Sequence, residues 1–304
     1  MVKIIDLEKD IKEKTKELLK NSTNIPIYKS NKNDKNILVL SGGGIKGIAY
    51  IGALQALKDL KYLENIKIFA AASVGALIVS IYILGYEPKE MYEFIKQFDL
   101  SKMKSIDITN VLNYYGLDTG SNIEYVIKRL IRAKNYSEDI TLRELFDHTN
   151  KKMIFTTVCV NNAQLCYLSH DTHPFLPLYK AIRMSMSIPI YYTPVKYDNK
   201  LYIDGGCIDN YPIHLFNNRL EKVIGIYLVD RLDEIENIKN IETYILRMVQ
   251  CLMKGATFNS KKGYDKWTID IHLESLNLVD YGISLQKKRD MYDIGYKTVI
   301  NRFN

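Results

Sequence analysis

The feature that most constrains this chain is an uncharged stretch, Ile68 to Tyr86, with a serine set inside it. β-favouring residues run from Ile68 to Ala72 and helix formers follow Gly75, so the stretch reads as a buried strand, a sharp turn at Ser73 and a buried helix. In Ala71-Ala72-Ser73-Val74-Gly75 the small residues on either side of the serine let strand and helix pack closely, which drives the serine side chain outward at the turn. That is the layout of a nucleophile elbow, usually G-x-S-x-G, with Ala71 in place of the first glycine. Two plainer readings fit the same residues. The stretch is long enough for a membrane-spanning helix, which needs about 20 apolar residues, and a serine at a βα turn is a common helix cap.

What surrounds the stretch argues for a globular α/β chain. With 304 residues, 47% hydrophobic and 25% charged, the protein has enough apolar surface for one large domain with additions. The N-terminus is charged from Lys3 onward and lacks a continuous apolar segment, so no secretory signal is expected and an intracellular setting is. Cys159, Cys166, Cys207 and Cys251 show neither C-x-x-C spacing nor a compact Cys/His cluster, which predicts reduced thiols rather than a zinc site or a disulfide framework. The net charge of +7 favours an anionic surface. Phospholipid headgroups fit this better than nucleic acid, because no nucleic-acid module is present and the longest basic block is Lys287-Lys288-Arg289.

A second strand-turn-helix lies just upstream. Asn36 to Leu40 reads as a short strand, followed by Ser41-Gly42-Gly43-Gly44-Ile45-Lys46-Gly47 and a helix through Leu57. Glycines there let backbone N–H groups and a helix N-terminus converge on an anion. Gly42, Gly44 and Gly47 satisfy G-x-G-x-x-G, yet the acid that would hold a ribose after the next strand is missing. A phosphate-binding P-loop also fails, because Lys46 precedes Gly47 and no Gly-Lys-Ser/Thr follows. The third reading is an oxyanion hole in which the N–H groups of Gly43 and Gly44 face Ser73. Two successive parallel strands would end side by side and bring both turns to one sheet edge.

The block from Gly42 to Gly47, followed by the elbow at Ser73, resembles the patatin family of serine lipid acyl hydrolases, whose oxyanion motif is G-G-G-x-[R/K]-G. Further blocks appear in the family's order. Ala181-Ile182-Arg183-Met184-Ser185-Met186-Ser187-Ile188-Pro189, continuing to Pro194, is similar to A-x-R-A-S-x-A-x-P-x-x-F-x-P, and Asp204-Gly205-Gly206 matches the D-G-[G/A] aspartate turn. Asn210-Tyr211-Pro212 also fits. The resemblance implies a three-layer α/β/α fold with a mostly parallel sheet, a Ser73–Asp204 dyad, and no cofactor or metal. It implies a phospholipid or other acyl-lipid substrate, cleaved as by a phospholipase A or lysophospholipase, with peripheral membrane contact. Residues 36–216 would form the catalytic core, with residues 217–304 completing the same domain and residues 1–35 forming an amphipathic helix (Lys3 to Lys20) and a linker. A catalytically silent lipid-binding relative is the alternative, motivated by Ala71. A Ser-His-Asp triad drawing on His170, His173 or His214 is a lesser rival, since His214 leads into an apolar segment where a packed or surface histidine is commoner.

Local signals place the remaining elements. Ser121-x-x-Glu124 and Thr141-x-x-Glu144 read as capping boxes opening two helices. Asn161-Asn162 predicts a hairpin between Lys152 to Val160 and Ala163 to Leu168, and Asp198-Asn199 turns a second hairpin that delivers Asp204 at a strand end. A helix from Pro177 to Ser187 should stop before Pro189. A strand from Lys222 to Val229 and a helix from Ser284 to Asn301 are expected near the C-terminus.

Overall fold

The computed structural model describes residues 34–229, 237–273, 279 and 281–304, with the side chains of residues 257–259 excepted. The helix expected over Lys3 to Lys20 lies outside the described residues. The described residues, Phe303 excepted, fall in one compact unit.

Its frame is an eight-stranded mixed sheet flanked by helices. Strands β1 (Ile37–Leu40) and β2 (Ile68–Ala71) are short and almost wholly buried, the pattern of strands covered on both faces, and they pair in parallel. On one side of β1 lie β9 (Val223–Val229) and then β10 (Thr268–His272), both parallel to it. On the other side of β2 lies β4 (Lys152–Cys159), also parallel. There the sheet turns antiparallel: β5 (Gln164–Leu168) and β8 (Lys200–Asp204) pair with opposite sides of the end of β4, and β7 (Val195–Tyr197) closes the edge against β8. A separate two-stranded piece joins β3 (Gly116–Asp118) to β6 (Ile190–Tyr192) in parallel.

The helices, in order, are α1 (Ile48–Asp59), α2 (Val74–Ile83), α3 (Pro88–Gln97), α4 (Thr109–Tyr114) and α5 (Ser121–Ala133). They continue with α6 (Leu142–Thr149), α7 (Leu178–Met186), α8 (Ile241–Lys261) and α9 (Leu285–Phe303). The three-layer α/β/α class expected from the sequence is the class observed. The uncharged stretch is divided between β2 and α2, and no described helix is long and apolar enough to cross a membrane.

Most local signals act where the sequence puts them. Thr141 and Glu144 form a reciprocal capping box at α6, and Asp198 and Asn199 both take positive φ between β7 and β8, as a two-residue hairpin turn requires. The box at Ser121 does not form. Gly120, in the left-handed region at φ 69°, precedes α5, and its N–H donates to Asp118 Oδ1 at 2.7 Å. The aspartate therefore holds the turn that Ser121 was expected to cap, and Glu124 instead pairs with Lys128 one turn on. Sequence periodicity does not single out α8, β10 or the β3–β6 pair.

Candidate active site

The parallel pairing of β1 with β2 brings their two following turns to the same sheet edge. At the second turn, Ala72 N–H donates to Leu40 O at 3.3 Å and the chain then bends sharply at Ser73, with φ 50° and ψ −125°. A non-glycine residue with positive φ is strained and must be held by its surroundings. Two contacts hold it. Ser73 N–H donates to the buried Ser185 Oγ at 3.0 Å, and α2 starts directly against the end of β1. A methyl group at Gly75 would lie 2.9 Å from Ser41 O and 3.1 Å from Leu40 Cβ, so only glycine allows this approach. Ala71, which stands where the elbow pattern has glycine, is buried and pairs in unbroken register with Leu40 and Phe155. Its methyl group is therefore accommodated.

The first turn wraps beside the serine. Gly42 N–H donates to Asn210 O at 3.1 Å, and a side chain at Gly42 would strike Asn210 Oδ1 and approach Ser73 Cβ to 3.1 Å. The N–H groups of Gly43 and Gly44 donate to no acceptor among the described residues. Gly47 packs on Val74, and Lys46 is buried. Beneath the loop Ser41 and Tyr50 form a closed polar knot: Tyr50 OH donates to Ser41 O at 2.8 Å, and Leu228 N–H donates to Ser41 Oγ at 3.1 Å. This knot fixes the loop to β9. The sequence alone assigns no role to Tyr50, which looks like any apolar helix residue until its hydroxyl is located.

Asp204 ends β8 opposite Thr157 of β4. Its N–H donates to Ser187 O at 2.8 Å, and its Oδ1 accepts from Gly206 N–H at 2.7 Å. Gly205 sits against Thr156 so tightly that a methyl group would lie 2.4 Å from the Thr156 carbonyl carbon. The carboxyl group is fully buried, and Oδ2 has no hydrogen-bond partner among the described residues. Burial pushes its pKa up to about 6, opposed by the nearby Ser73 hydroxyl and by the Gly206 N–H, both of which favour the carboxylate. The Ser73 hydroxyl is thus near enough to the Asp204 carboxyl to favour its ionised form.

Helix α7 ties the two together. Ser185 holds the Ser73 N–H and Ser187 holds the Asp204 N–H, while Thr157 Oγ1 donates within reach of both Met184 O, at 3.2 Å, and Ile203 O, at 2.8 Å. The Ala181 to Pro189 block is visible in the sequence, but the role of its serines is not. The histidines go elsewhere. His214 Nε2 lies 3.0 Å from Tyr167 OH, His170 stacks on Phe146, and His173 Nδ1 lies 3.0 Å from Thr172 Oγ1. Among the described residues no hydrogen bond joins any of the three to Ser73 or Asp204, so the triad is not assembled. The four cysteines are free thiols. Among the described residues no group of three or more His, Cys, Asp or Glu side chains could hold a metal ion.

Ser73 lines two cavities, one almost wholly apolar and one that mixes apolar and charged side chains. One, of about 130 Å³, is walled by apolar side chains of α1, α2, α3 and α5, including Ile51, Leu77, Phe94 and Ile127. The other, of about 470 Å³, also reaches Gly43, Gly44 and Asp204 and carries Lys254, Lys262 and His272.

A mostly parallel sheet flanked by helices, with two glycine-bearing βα turns meeting at one edge, defines an α/β/α protein whose site lies at the carboxyl ends of its strands. Within that class the chain belongs to the patatin-like phospholipase family, whose model matches residues 38–217. It is 32% identical to the probable lipid hydrolase 463L of Invertebrate iridescent virus 6 over 194 residues, covering 61% of this chain and 65% of that one. Similarity to the uncharacterized protein YqhO of Bacillus subtilis (strain 168) extends further, at 28% identity over 84% of this chain and 94% of that one. The crystal structure of VipD from Legionella pneumophila shares the fold, with a TM-score of 0.58 at 17% identity, covering 89% of this chain and 67% of that one. Family and relatives together support hydrolysis of lipid esters.

Proposed function

We propose that this protein is a serine lipid acyl hydrolase of the phospholipase A or lysophospholipase type, working through a Ser73–Asp204 dyad. The observation that carries the reading is the pairing of a strained, outward-held serine with a buried carboxylate whose Oδ2 is unpartnered. Ser73 Oγ attacks the ester carbonyl carbon while Asp204 Oδ2 accepts the hydroxyl proton and then returns it to the leaving alcohol. Water, activated by the same carboxylate, releases the fatty acid in the second half of the cycle. With a pKa of about 6, Asp204 is ionised at pH 7 yet far more basic than a free aspartate at about 3.9.

The negative oxygen of the tetrahedral intermediate is received by the Gly43 and Gly44 N–H groups. One such donor is worth about 3 to 4 kcal/mol. The two cavities give the substrate a direction, with the acyl chain in the apolar one and the polar headgroup or leaving alcohol beside Lys254 and Lys262. No cofactor is needed for this chemistry. The alternative of a silent lipid-binding relative rests on Ala71, and strand register is intact at that residue.

Lipid product analysis tests the reading. Wild-type protein should release free fatty acid from phospholipid or lysophospholipid, whereas Ser73→Ala should release none while keeping its fold. A fluorophosphonate should label Ser73 alone. Turnover in folded Ser73→Ala, or labelling of another serine, refutes the assignment.

A further inference from the structure

Among the described α-helices, α4 alone has no buried residue in any of its six positions. It sits at the tip of an excursion, Ile106 to Asp118, that leaves the body and returns to it. Large apolar side chains crowd this tip. Leu112 is 86% exposed, Tyr115 64%, Tyr114 59% and Ile108 56%, and with Ile106 they make five of the fifteen large exposed hydrophobic residues among those described, all within ten positions. A protein surface does carry scattered apolar residues, but a cluster of this kind marks a contact surface.

The excursion is held as a formed structure. At its neck Ile106 bridges Asp118 in antiparallel fashion, Asp107 N–H donates to Leu117 O at 2.9 Å, and Ser105 N–H donates to Asp118 Oδ2 at 2.6 Å. At the start of the helix, Thr109 donates to Asp107 Oδ1 through both N–H (2.9 Å) and hydroxyl (2.7 Å). Beyond these two aspartates lies no charge at all, since Ile108 to Leu117 contains no Asp, Glu, Lys, Arg or His. The charges are kept at the neck and the tip is left free to enter an apolar phase, with Tyr114 and Tyr115 supplying the amphipathic rings that favour a lipid–water boundary.

Both ends of the excursion are rooted in the wall of the apolar cavity. Met103, just before the neck, lines that cavity, and so does Tyr192, which pairs with Asp118 in the β3–β6 ladder. A surface engaged by the tip is thereby joined, through a few residues of fixed backbone, to the chamber that contains Ser73.

We propose that Ile108, Leu112, Tyr114 and Tyr115 form the element by which this protein inserts into a lipid surface, presenting acyl chains to the apolar cavity. This rests on the hydrolase reading for its purpose but not for its measurement. The attachment is apolar, so it differs from recruitment of the +7 chain to anionic headgroups.

Binding is measured by co-sedimentation of the full chain, in the Ser73→Ala background, with neutral phosphatidylcholine vesicles at low salt and at about 1 M salt. The combined variant Ile108→Ser, Leu112→Ser and Tyr115→Ser should weaken binding at least tenfold at both salt concentrations, since burying even one large apolar side chain is worth roughly that factor. With Ser73 restored, the same variant should hydrolyse a soluble short-chain ester within about twofold of the wild type, which shows that the fold is intact. Leu112→Trp should show a blue-shifted emission on adding vesicles, above the signal of the single native tryptophan, Trp267. Unchanged vesicle binding in the combined variant overturns the proposal, as does an emission from the introduced indole that vesicles do not move. Binding that disappears at high salt assigns the contact to charge and overturns it as well. A dimer abolished by the three substitutions, with vesicle binding intact, gives the tip to a second copy instead. A wild-type protein that cleaves no ester refutes the hydrolase reading, while the vesicle result still decides the role of the tip.

Discussion

Replacing Asp204 by asparagine separates what the buried carboxylate does for chemistry from what it does to stability. The side chain keeps its size and its oxygen facing the Gly206 N–H, but it can no longer accept a proton from Ser73, so ester hydrolysis should be lost. Stability should move the other way. Folding raises the pKa of this carboxyl from 3.8 to about 6, so between those values the folded state binds more protons than the unfolded one. Stability attributable to the group is therefore fully present below about pH 3.8, falls as pH rises, and levels off above about 6. The size of that loss is about 3 kcal/mol, at about 1.4 kcal/mol for each tenfold change in proton affinity. The asparagine amide brings a constant cost or gain of its own, and following both proteins across pH removes it. Urea unfolding at pH 4 to 7.5 should show the variant gaining about 2.4 kcal/mol on the wild type, the part of the loss that falls within this range. In parallel, wild-type kcat/KM should drop about tenfold per pH unit below about pH 6 as the base is protonated. A stability difference that stays flat from pH 4 to 7.5 would refute the argument that Asp204 is a buried charge raised by desolvation.

Three further substitutions test how the site is held. Ser185→Ala leaves the Ser73 N–H without its acceptor, at a cost of about 1 to 3 kcal/mol; kcat on a soluble ester should fall at least tenfold with KM nearly unchanged, and a change confined to KM would deny it a positioning role. Gly75→Ala places a methyl group 2.9 Å from Ser41 O, so thermal unfolding should show a loss of about 1 to 3 kcal/mol together with lost activity, and an unaltered melting temperature would show that the elbow is looser than described. Ala71→Gly should change activity by less than about tenfold, or 1.4 kcal/mol, because the native methyl is already accommodated; an inactive wild type rescued by this change would restore the silent-relative reading.

Ser73 shows why the site has to be built from both sides. Its strain is local, but it is sustained by Ser185 from a helix 112 residues later and by the close seating of α2 on β1. The basicity assigned to Asp204 comes from burial, which only the packed chain provides, while its neighbour in sequence, the Gly206 N–H, works against it.

Much is legible in the sequence because it depends on a few adjacent residues. Positive φ at Asp198 and Asn199, the capping box of Thr141 and Glu144, the strand-turn-helix at Ser73 and the stop before Pro189 all follow from backbone and side-chain preferences that act within one turn of chain. The glycine loop and the aspartate turn can likewise be read in order. The capping box expected at Ser121 is not made because the helix starts one residue earlier: Gly120 is its N-cap, and the Glu124 N–H that Ser121 would accept donates to Gly120 O instead. The placement of β9 and β10 beside β1, the pairing of β3 with β6 and the knot of Ser41 with Tyr50 and Leu228 were decided only by the tertiary structure. So was the exposure of Ile108, Leu112 and Tyr115. A short segment's own residues set what it prefers, but which distant segment covers it, and which apolar side chains are left uncovered, depends on packing the whole chain at once.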